Sequence, residues 1–494
     1  MKHIYFIVLL ILSAGCFAQE KSKHEKSLNE ADIELLDYLF EPATGQRPGA
    51  NVLVIHKGQI IHQKSYGLSN LEKEIPSTPK TNYRIASVTK QFTAMAIMIL
   101  VHEGKIEYET TLTEIFPEFP AYGKDIMIRH LVTHQSGIED YYRFVNDNRT
   151  QQMLDREVLD SIMTTSSTYF TPGTQYQYSN TAYAVLAQIV EKISNQSFAD
   201  FMEEKIFHKL GMNNTCVFEL DQPIVNRAYG YKEEEGRFIF SDQSMTSAIQ
   251  GDGGIYCSTL DYYKWDQALY TETLVPRTLL QDAFHAWDNH TRTDKAGAGY
   301  GWMIDYRNGV KMLHHSGGTS GFQTQVLRIP ALELTVVLFT NREWAGRFLW
   351  HNVNALASIY SDYEFAMPLE IPMKKEIEQK GTQAGIILYD QLKEDNKYEV
   401  EKTTLPYLGM DYLRAQNYKV AAALFDKTIK EHPDYAGGYH SWAVLAKRTG
   451  DMDKAMRYYK KVVDLNDENE PDLTAQAKEQ LEKLQEGKGK VKDK

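Results

Sequence analysis

Ser87-Val88-Thr89-Lys90 sets a hydroxyl and an amine three residues apart, at the head of an apolar run from Ala94 to Val101. A serine hydroxyl is a poor nucleophile until a base takes its proton. A lysine amine held in a dry site, where burial disfavours its charged form, can be that base. Residues three apart share a helix face, so the spacing places Lys90 one turn above Ser87. The plain alternative is a helix cap followed by a solvated first-turn charge. Ser77-Thr78-Pro79-Lys80 matches the same pattern in a loop-like setting, so something further along the chain must choose.

Two other short patterns bear on that choice. Tyr178-Ser179-Asn180 stands just ahead of a helical stretch from Thr181, and His314-His315-Ser316-Gly317-Gly318 ends a strand-like run. Each alone has a structural explanation, an N-cap for Ser179 or Asn180 and a glycine-rich strand end for the second. Each also arises by chance, at Tyr306-Arg307-Asn308, His56-Lys57-Gly58 and His102-Glu103-Gly104. His130 and His134 stand four apart, as zinc-protease histidines do, but Leu131 and Val132 leave no glutamate beside the first. No metal and no other cofactor is expected, and Gln135-Ser136-Gly137 reads as a structural turn.

The elements that position these residues can be read from hydrophobic pattern. The Ala94–Val101 run has no polar face, so its helix is a buried one, ended at Glu103-Gly104. The run is too short to span a bilayer. Ala31–Phe40 reads as a helix, and Asn51–His56 and Gln59–Tyr66 as two strands around a Lys57-Gly58 turn. From Ile106 to about Thr291 the pattern is mostly helical and loop-rich, with helices expected at Met127–Thr133, Asp155–Thr164, Thr181–Ile193 and Phe198–Leu210. Strand character returns at Tyr300–Tyr306, Val310–His315, Thr324–Ile329 and Leu334–Thr340, with an Asn308-Gly309 turn. Strands at both ends with helices between predict an α+β fold, its antiparallel sheet built from both ends of the domain beside a helical lobe.

Taken in that order and setting, the three patterns resemble the serine β-lactamase and penicillin-binding-protein superfamily. Tyr83 to Ala94, Leu131-Val132-Thr133-His134-Gln135-Ser136-Gly137-Ile138, Pro172-Gly173 and Gly253-Gly254-Ile255-Tyr256-Cys257-Ser258-Thr259 are similar to its class C and esterase-like branch. The resemblance spans a domain of residues 30–366 and implies a β-lactamase/transpeptidase-like fold. It implies Ser87 as the acylated nucleophile, Lys90 and Tyr178 as proton shuttle, and the backbone N–H groups of Ser87 and Gly318 as oxyanion hole. Asn180, His315 and Gly317 would bind substrate. His315 stands where β-lactamases carry lysine, as in certain D-alanyl carboxypeptidases, D-aminopeptidases and esterases. An imidazole has an ordinary pKa of about 6.5, so a substrate-facing His315 should hold carboxylates better as pH falls through that value. The implied function is a serine hydrolase acting on an ester or a D-amino-acid amide or peptide. The competing readings are a β-lactamase proper, and a non-catalytic peptide-sensing protein that works through its C-terminal helices.

Beyond Pro368 the chain turns helical throughout. Residues 367–401 are expected to connect, with one helix at Glu376–Leu392. A 34-residue self-similarity follows, in which Leu408, Ala421 and Phe425 recur as Trp442, Ala455 and Tyr459. With Gly409, Tyr412 and Pro433 this resembles two tetratricopeptide repeats, near 402–435 and 436–469, although Asp467 stands where proline is expected. Two repeats bury too little to stand alone, so Glu376–Leu392 and Asp472–Leu484 should cover their ends. The repeat region closes at residue 486, and 487–494 reads as a disordered tail. Such repeats offer a surface for a protein partner.

The chain opens with Met1-Lys2-His3, an apolar stretch from Ile4 to Leu12, and Ser13-Ala14-Gly15-Cys16-Phe17-Ala18-Gln19. That is the pattern of a secretory signal, residues 1–18, cut after Ala18; residues 19–29 are a charged, flexible leader. An exported protein, periplasmic or secreted, is expected. The alternative is a lipoprotein anchored to the membrane at Cys16, against which Ser13 stands where an aliphatic is usual. Cys216 and Cys257 then remain, able to pair in an oxidising compartment, with spacing unable to decide it. The 494 residues carry a formal net charge of −12, and no basic cluster marks the folded part, which argues against nucleic acid.

Overall fold

The sheet that organises the molecule is assembled from strands far apart in sequence. In a computed structural model, which describes residues 29–145, 149–234, 236–287, 296–307, 309–343, 348–361, 366–466 and 471–492, seven strands lie in one antiparallel sheet. They are β1 (Ala50–His56), β2 (Gln59–Tyr66), β3 (Gly297–Ala298), β4 (Met303–Arg307), β5 (Val310–Thr319), β6 (Phe322–Ile329) and β7 (Leu334–Thr340). Their spatial order is β3-β4-β5-β6-β7-β1-β2. The first and last segments of the domain meet where β1 pairs with β7, Val54 opposite Val336. This is the α+β arrangement expected from strands at both ends. The segment read as a secretory signal and most of the expected leader lie outside the described residues, as do Asn308 and Asp467.

Side chains alternate across a strand, and here both faces are covered. Val52 and Val54 of β1 join Val336 and Leu338 of β7 beneath α1 (Glu30–Phe40) and the Phe348–Tyr360 helix. Leu53, Ile55, Val337 and Phe339 face the opposite way, into the helical lobe. At the centre of that lobe is α2 (Lys90–His102), buried from Lys90 through Leu100, as its lack of a polar face requires. Beside it runs α3 (Asn180–Ser194), whose N-terminus Ser179 caps through its hydroxyl.

The predicted lobe helices are present with shifted ends. Phe198–Leu210 departs from a regular helix, with a π-helical turn at Glu203–Phe207 between Phe198–Met202 and His208–Leu210. Two short strands, Ile255–Cys257 and Cys216–Val217, interrupt the region read as helical and loop-rich and form a small sheet with Tyr83–Arg84. So does a hairpin of Tyr231–Glu234 and Arg237–Phe240. Cys216 and Cys257 lie on paired strands of the small sheet as free thiols, and burial pushes the Cys216 thiol up to about 11.

Among the described residues, the regular structure of the C-terminal region is helical apart from a short parallel contact of Met367–Pro368 with Tyr398–Glu399. The single helix expected at Glu376–Leu392 is in fact two, α4 (Glu370–Lys380) and α5 (Thr382–Leu392). Gly381 separates them at φ 92 and ψ 168, a backbone state essentially reserved for glycine. Two helical hairpins follow, α6 (Thr404–Arg414) with α7 (Tyr418–Glu431), and α8 (Ala436–Arg448) with α9 (Met452–Leu465). The repeated positions Leu408 and Trp442, Ala421 and Ala455, Phe425 and Tyr459 are all buried. The last helix runs from Pro471 to Lys492. It thus passes the boundary read at Gly487, in a stretch whose Glu, Gln and Lys residues are good helix formers. The region lies against the first domain through Lys374 over the Tyr38 ring (5.9 Å), an ion pair of Lys375 with Glu34, and Arg307 with Glu399 (3.4 Å). Among the described residues, no helix is long and apolar enough to cross a membrane.

Candidate active site

Ser87 sits on a single 3₁₀ turn, Ala86–Thr89, that runs directly into α2. The turn is entered through Ala86, whose φ of 47 lies in the left-handed region. A side chain there costs on the order of 1–3 kcal/mol and persists only when its surroundings hold it. They do so at Ile85, whose N–H donates to the Ile255 carbonyl (2.9 Å) and whose carbonyl accepts from Thr324 Oγ1 (2.8 Å). The consequence is that Ser87 reaches the surface of the cleft while Thr81 through Ala86 and Val88 through Lys90 are buried.

Lys90 is fully buried. Its Nζ donates to Ser87 Oγ (3.1 Å), Asn180 Oδ1 (2.8 Å) and the Asp252 carbonyl (2.7 Å), which uses the three donors of an ammonium. An ammonium cannot accept, so Asn180 turns its oxygen to Lys90 and its NH₂ elsewhere. The competing Ser77 is a core residue bonded to Tyr83 Oη (2.8 Å), and Lys80 is exposed. The structure therefore unites Ser87, Lys90 and Asn180 and sets the other serine–lysine pair apart.

The carbonyl of Asp252 is an acceptor that no side-chain pattern could disclose, and several groups fix it. Gln250 and Gly251 donate their N–H groups to the two oxygens of Asp155 (2.7 and 3.0 Å). Thr93 Oγ1 donates to the Gly251 carbonyl (2.7 Å), and Arg84 donates to the Gly253 and Ser247 carbonyls (3.2 and 2.6 Å). A Cβ at Gly251 would run into the Tyr183 carbonyl on α3, so only glycine lets this loop lie so near the helix. Burial pushes the Asp155 carboxyl up to about 8, against the pull of its two backbone donors. The buried Asp252 carboxyl is also raised by desolvation, with Lys90 opposing, and it accepts from Tyr141 Oη (2.8 Å).

Tyr178 meets the pair through its ring, 5.1 Å from Lys90 Nζ, and its hydroxyl makes no hydrogen bond among the described residues. Behind it stands His134, stacked at 4.4 Å and 25°. His134 holds a left-handed φ of 59, and its Nδ1 accepts the Ser179 N–H (3.0 Å). Burial, with the Lys90 charge adding, holds its pKa well below the ordinary value. His134 is thus a neutral wedge that sets both Tyr178 and the start of α3. Among the described residues, no group of three or more His, Cys, Asp or Glu could hold a metal.

The opposite wall is β5. Its neighbour β4 begins at Met303, opposite His314, so residues 315–319 pair only with β6 and keep one open edge. Gly317 packs on the Ser87 turn, where a Cβ would collide with the Ile85 carbonyl and the Thr324 hydroxyl. This close approach sets Gly318 beside the turn. His315 departs from its expected behaviour. Its ring is buried at 3 % exposure, and burial, then the Lys90 charge, push its pKa down to about 3. Its Nδ1 lies 2.7 Å from the Ser316 carbonyl; a carbonyl only accepts, so Nδ1 carries the proton. Nε2 is left as a buried lone pair with no partner. The expected gain of charge near pH 6.5 is therefore corrected: this imidazole stays neutral throughout the usual working range.

The sequence model of the Beta-lactamase family matches residues 34–352. The chain belongs to that family. Penicillin-binding protein 4* of Bacillus subtilis (strain 168) is 30% identical over 365 residues, 70% of this chain and 79% of that protein. A D-aminopeptidase of Gluconobacter oxydans is 25% identical over 70% of this chain and 63% of its own. Among solved structures, the octameric penicillin-binding protein homologue from Pyrococcus abyssi superposes with a TM-score of 0.59 at 25% identity, covering 71% of this chain and 81% of that one. The D-amino acid amidase from Ochrobactrum anthropi SV3 shares the fold with a TM-score of 0.55 at 20% identity, over 66% of this chain and 97% of its own. This Beta-lactamase-family protein is a serine hydrolase.

Asp155, Asp252, Tyr141 and the wedge role of His134 were not read from sequence. Asp252 directly precedes the Gly253-Gly254 motif, which was the one available signal.

Proposed function

We propose that this serine hydrolase is exported and forms an acyl-enzyme on Ser87 from an ester or a D-amino-acid amide. The observation that carries the reading is the 3.1 Å contact of Lys90 Nζ with Ser87 Oγ inside a set of fixed acceptors. With Lys90 or Tyr178 deprotonated, the Ser87 proton passes to that pair as Oγ attacks the substrate carbonyl carbon. Charge gathers on the carbonyl oxygen, where the N–H groups of Ser87 and Gly318 receive it; one such donor is typically worth about 3 kcal/mol in the transition state. The pair then returns the proton to the leaving alcohol or amine, and water repeats the sequence to release the acid. Neutral His315 gives little attraction for a carboxylate, which favours esters and D-amino-acid amides over penicillins. Export rests on Met1–Ala18.

The test is intact-mass spectrometry after incubation with a fluorophosphonate, a p-nitrophenyl ester, a D-amino-acid p-nitroanilide and a penicillin. One adduct is expected on the wild type. Ser87→Ala should lose it and lower kcat by on the order of 10³-fold or more, while Ser77→Ala keeps the adduct. A folded Ser87→Ala protein with full activity overturns the assignment. Mass analysis of the exported chain should place its first residue at Gln19, and an uncleaved chain retained in the cytosol overturns export.

A further inference from the structure

The strand that carries Gly318 leads into a cleft of about 1270 Å³, rimmed by Gly318, Thr319 and Ser320. Its other walls are the Tyr231–Glu234/Arg237–Phe240 hairpin and helices α4, α6 and α8 of the C-terminal region. Six cations line it, namely Lys232, Arg237, Arg342, Lys374, Arg414 and Arg448. Against them stand four carboxylates, each already engaged. Glu233 pairs with Arg342, Glu234 with Lys232 (2.7 Å) and Asp411 with Arg414 (3.1 Å). Glu343 accepts from the Gly321 N–H (2.8 Å) and Ser241 Oγ (3.3 Å). Arg237 and Arg448 have no acidic partner among the described residues, and both are exposed to the cleft. A positive surplus here, in a chain of net charge −12, focuses field on one place beside the oxyanion position.

The direction of the cleft follows from the site. Tyr178 and Lys90 must hand a proton to the leaving group, and Tyr178 lies toward His315 (6.2 Å between rings). The leaving group therefore lies at the His315 end of the open β5 edge, and the acyl group extends past Gly318. We propose that the cleft is an acyl-side subsite for an elongated anionic acyl group, an acidic peptide with two or more carboxylates, and that the helical region serves as its wall. Guanidinium groups from two domains can then hold carboxylates by paired hydrogen bonds. Only the orientation rests on the acyl-enzyme reading above; the charge pattern does not.

The test uses the full chain. Fluorescein-labelled tri-glutamate and tri-glutamine peptides are titrated against Ser87→Ala by anisotropy. The acidic peptide should bind at least tenfold tighter in low salt and lose that advantage at 0.5 M salt. Adding Arg237→Glu and Arg448→Glu should abolish the preference. In the enzyme with Ser87 intact, p-nitrophenyl esters of equal chain length ending in methyl or carboxylate are compared. The Arg237→Glu/Arg448→Glu variant should raise KM for the carboxylate ester about tenfold and leave the neutral ester within twofold, which also reports folding. Equal binding of the two peptides, unchanged by the substitutions, overturns the proposal. Retained peptide preference with no adduct and no turnover overturns the acyl-enzyme reading and leaves an anion site. Turnover of the neutral ester with no carboxylate preference overturns the subsite alone.

Discussion

Asp155 touches neither Ser87 nor Lys90, yet its removal should be felt at both. In Asp155→Ala the N–H groups of Gln250 and Gly251, held at 2.7 and 3.0 Å, lose their acceptor inside the fold. Each stranded donor costs roughly 1–3 kcal/mol, so the two together should remove about 2–6 kcal/mol of stability. The loop they brace carries the Asp252 carbonyl that holds Lys90 Nζ at 2.7 Å. A shift of Nζ of the order of 1 Å should lower kcat by on the order of 10–100-fold with little change in KM. Asp155→Asn retains one acceptor and should lose about half as much stability. Its pH dependence has a definite sign. The Asp155 carboxyl titrates near 8 in the fold and near 3.9 when unfolded, so stability from its protonated form is present below pH 4 and fades as pH rises toward 8. The gap between wild type and Asp155→Asn should narrow from pH 5 to pH 8. Urea denaturation across that range, with ester turnover at pH 7, measures both effects. Wild-type stability and kcat in Asp155→Ala would refute the bracing argument.

Because His315 is neutral, KM for uncharged substrates and for substrates of equal size with a carboxylate on the leaving-group side, away from the Asp411 carboxyl that burial raises to about 6, should follow one pH curve from 5.5 to 8; divergence through pH 6.5 would show that the ring titrates. His315 should also add acid sensitivity: with a folded pKa of about 3 against 6.5 unfolded, its contribution is present above pH 6.5 and lost as pH falls toward 3, and denaturation of His315→Gln should show less of that loss. Arg328 and Asp266 form a buried pair at 3.0 Å, with 2% and 1% of their side chains exposed. Asp266→Ala should therefore cost about 3–5 kcal/mol by leaving a guanidinium uncompensated, whereas Arg328→Met/Asp266→Leu should cost less by calorimetry. A chain ending at residue 366 keeps every group placed around Ser87, so it should still take a fluorophosphonate label while melting at a lower temperature; a folded but unlabelled chain would tie the helices to the chemistry.

That Ser87, Lys90 and Asn180 come together was expected from the family resemblance, since Ser-x-x-Lys alone recurs at Ser77–Lys80; the buried α2 was legible in a run with no polar face. That one antiparallel sheet would be built from both ends of the domain was legible, because strands there must find each other; its strand order was not. What the pattern could not disclose was contributed by backbone or by distant segments. Asp252 acts on Lys90 through a carbonyl, an atom every residue has. His315 reads as an ionisable ring until Lys90, Tyr178 and the sheet close around it and remove its water. Strands of two or three residues such as Tyr83–Arg84 are too short for a period to show. The break at Gly381 needed a backbone state, not merely a glycine, since glycines also sit inside helices α6 and α8.

The pairing of β1 with β7, Ala50 opposite Thr340, also has a temporal side. A ribosome delivers β1 long before β7, and the long loop between them must close before their mutual pairing is rewarded. The turn bearing Ser87 is held at Ile85 by Ile255 and Thr324, both of which arrive late. The left-handed turn at Ala86 therefore lacks its full bracing until the strand carrying Thr324 has been added. The bond that completes the bracing of this turn comes from β6, 239 residues beyond Ile85.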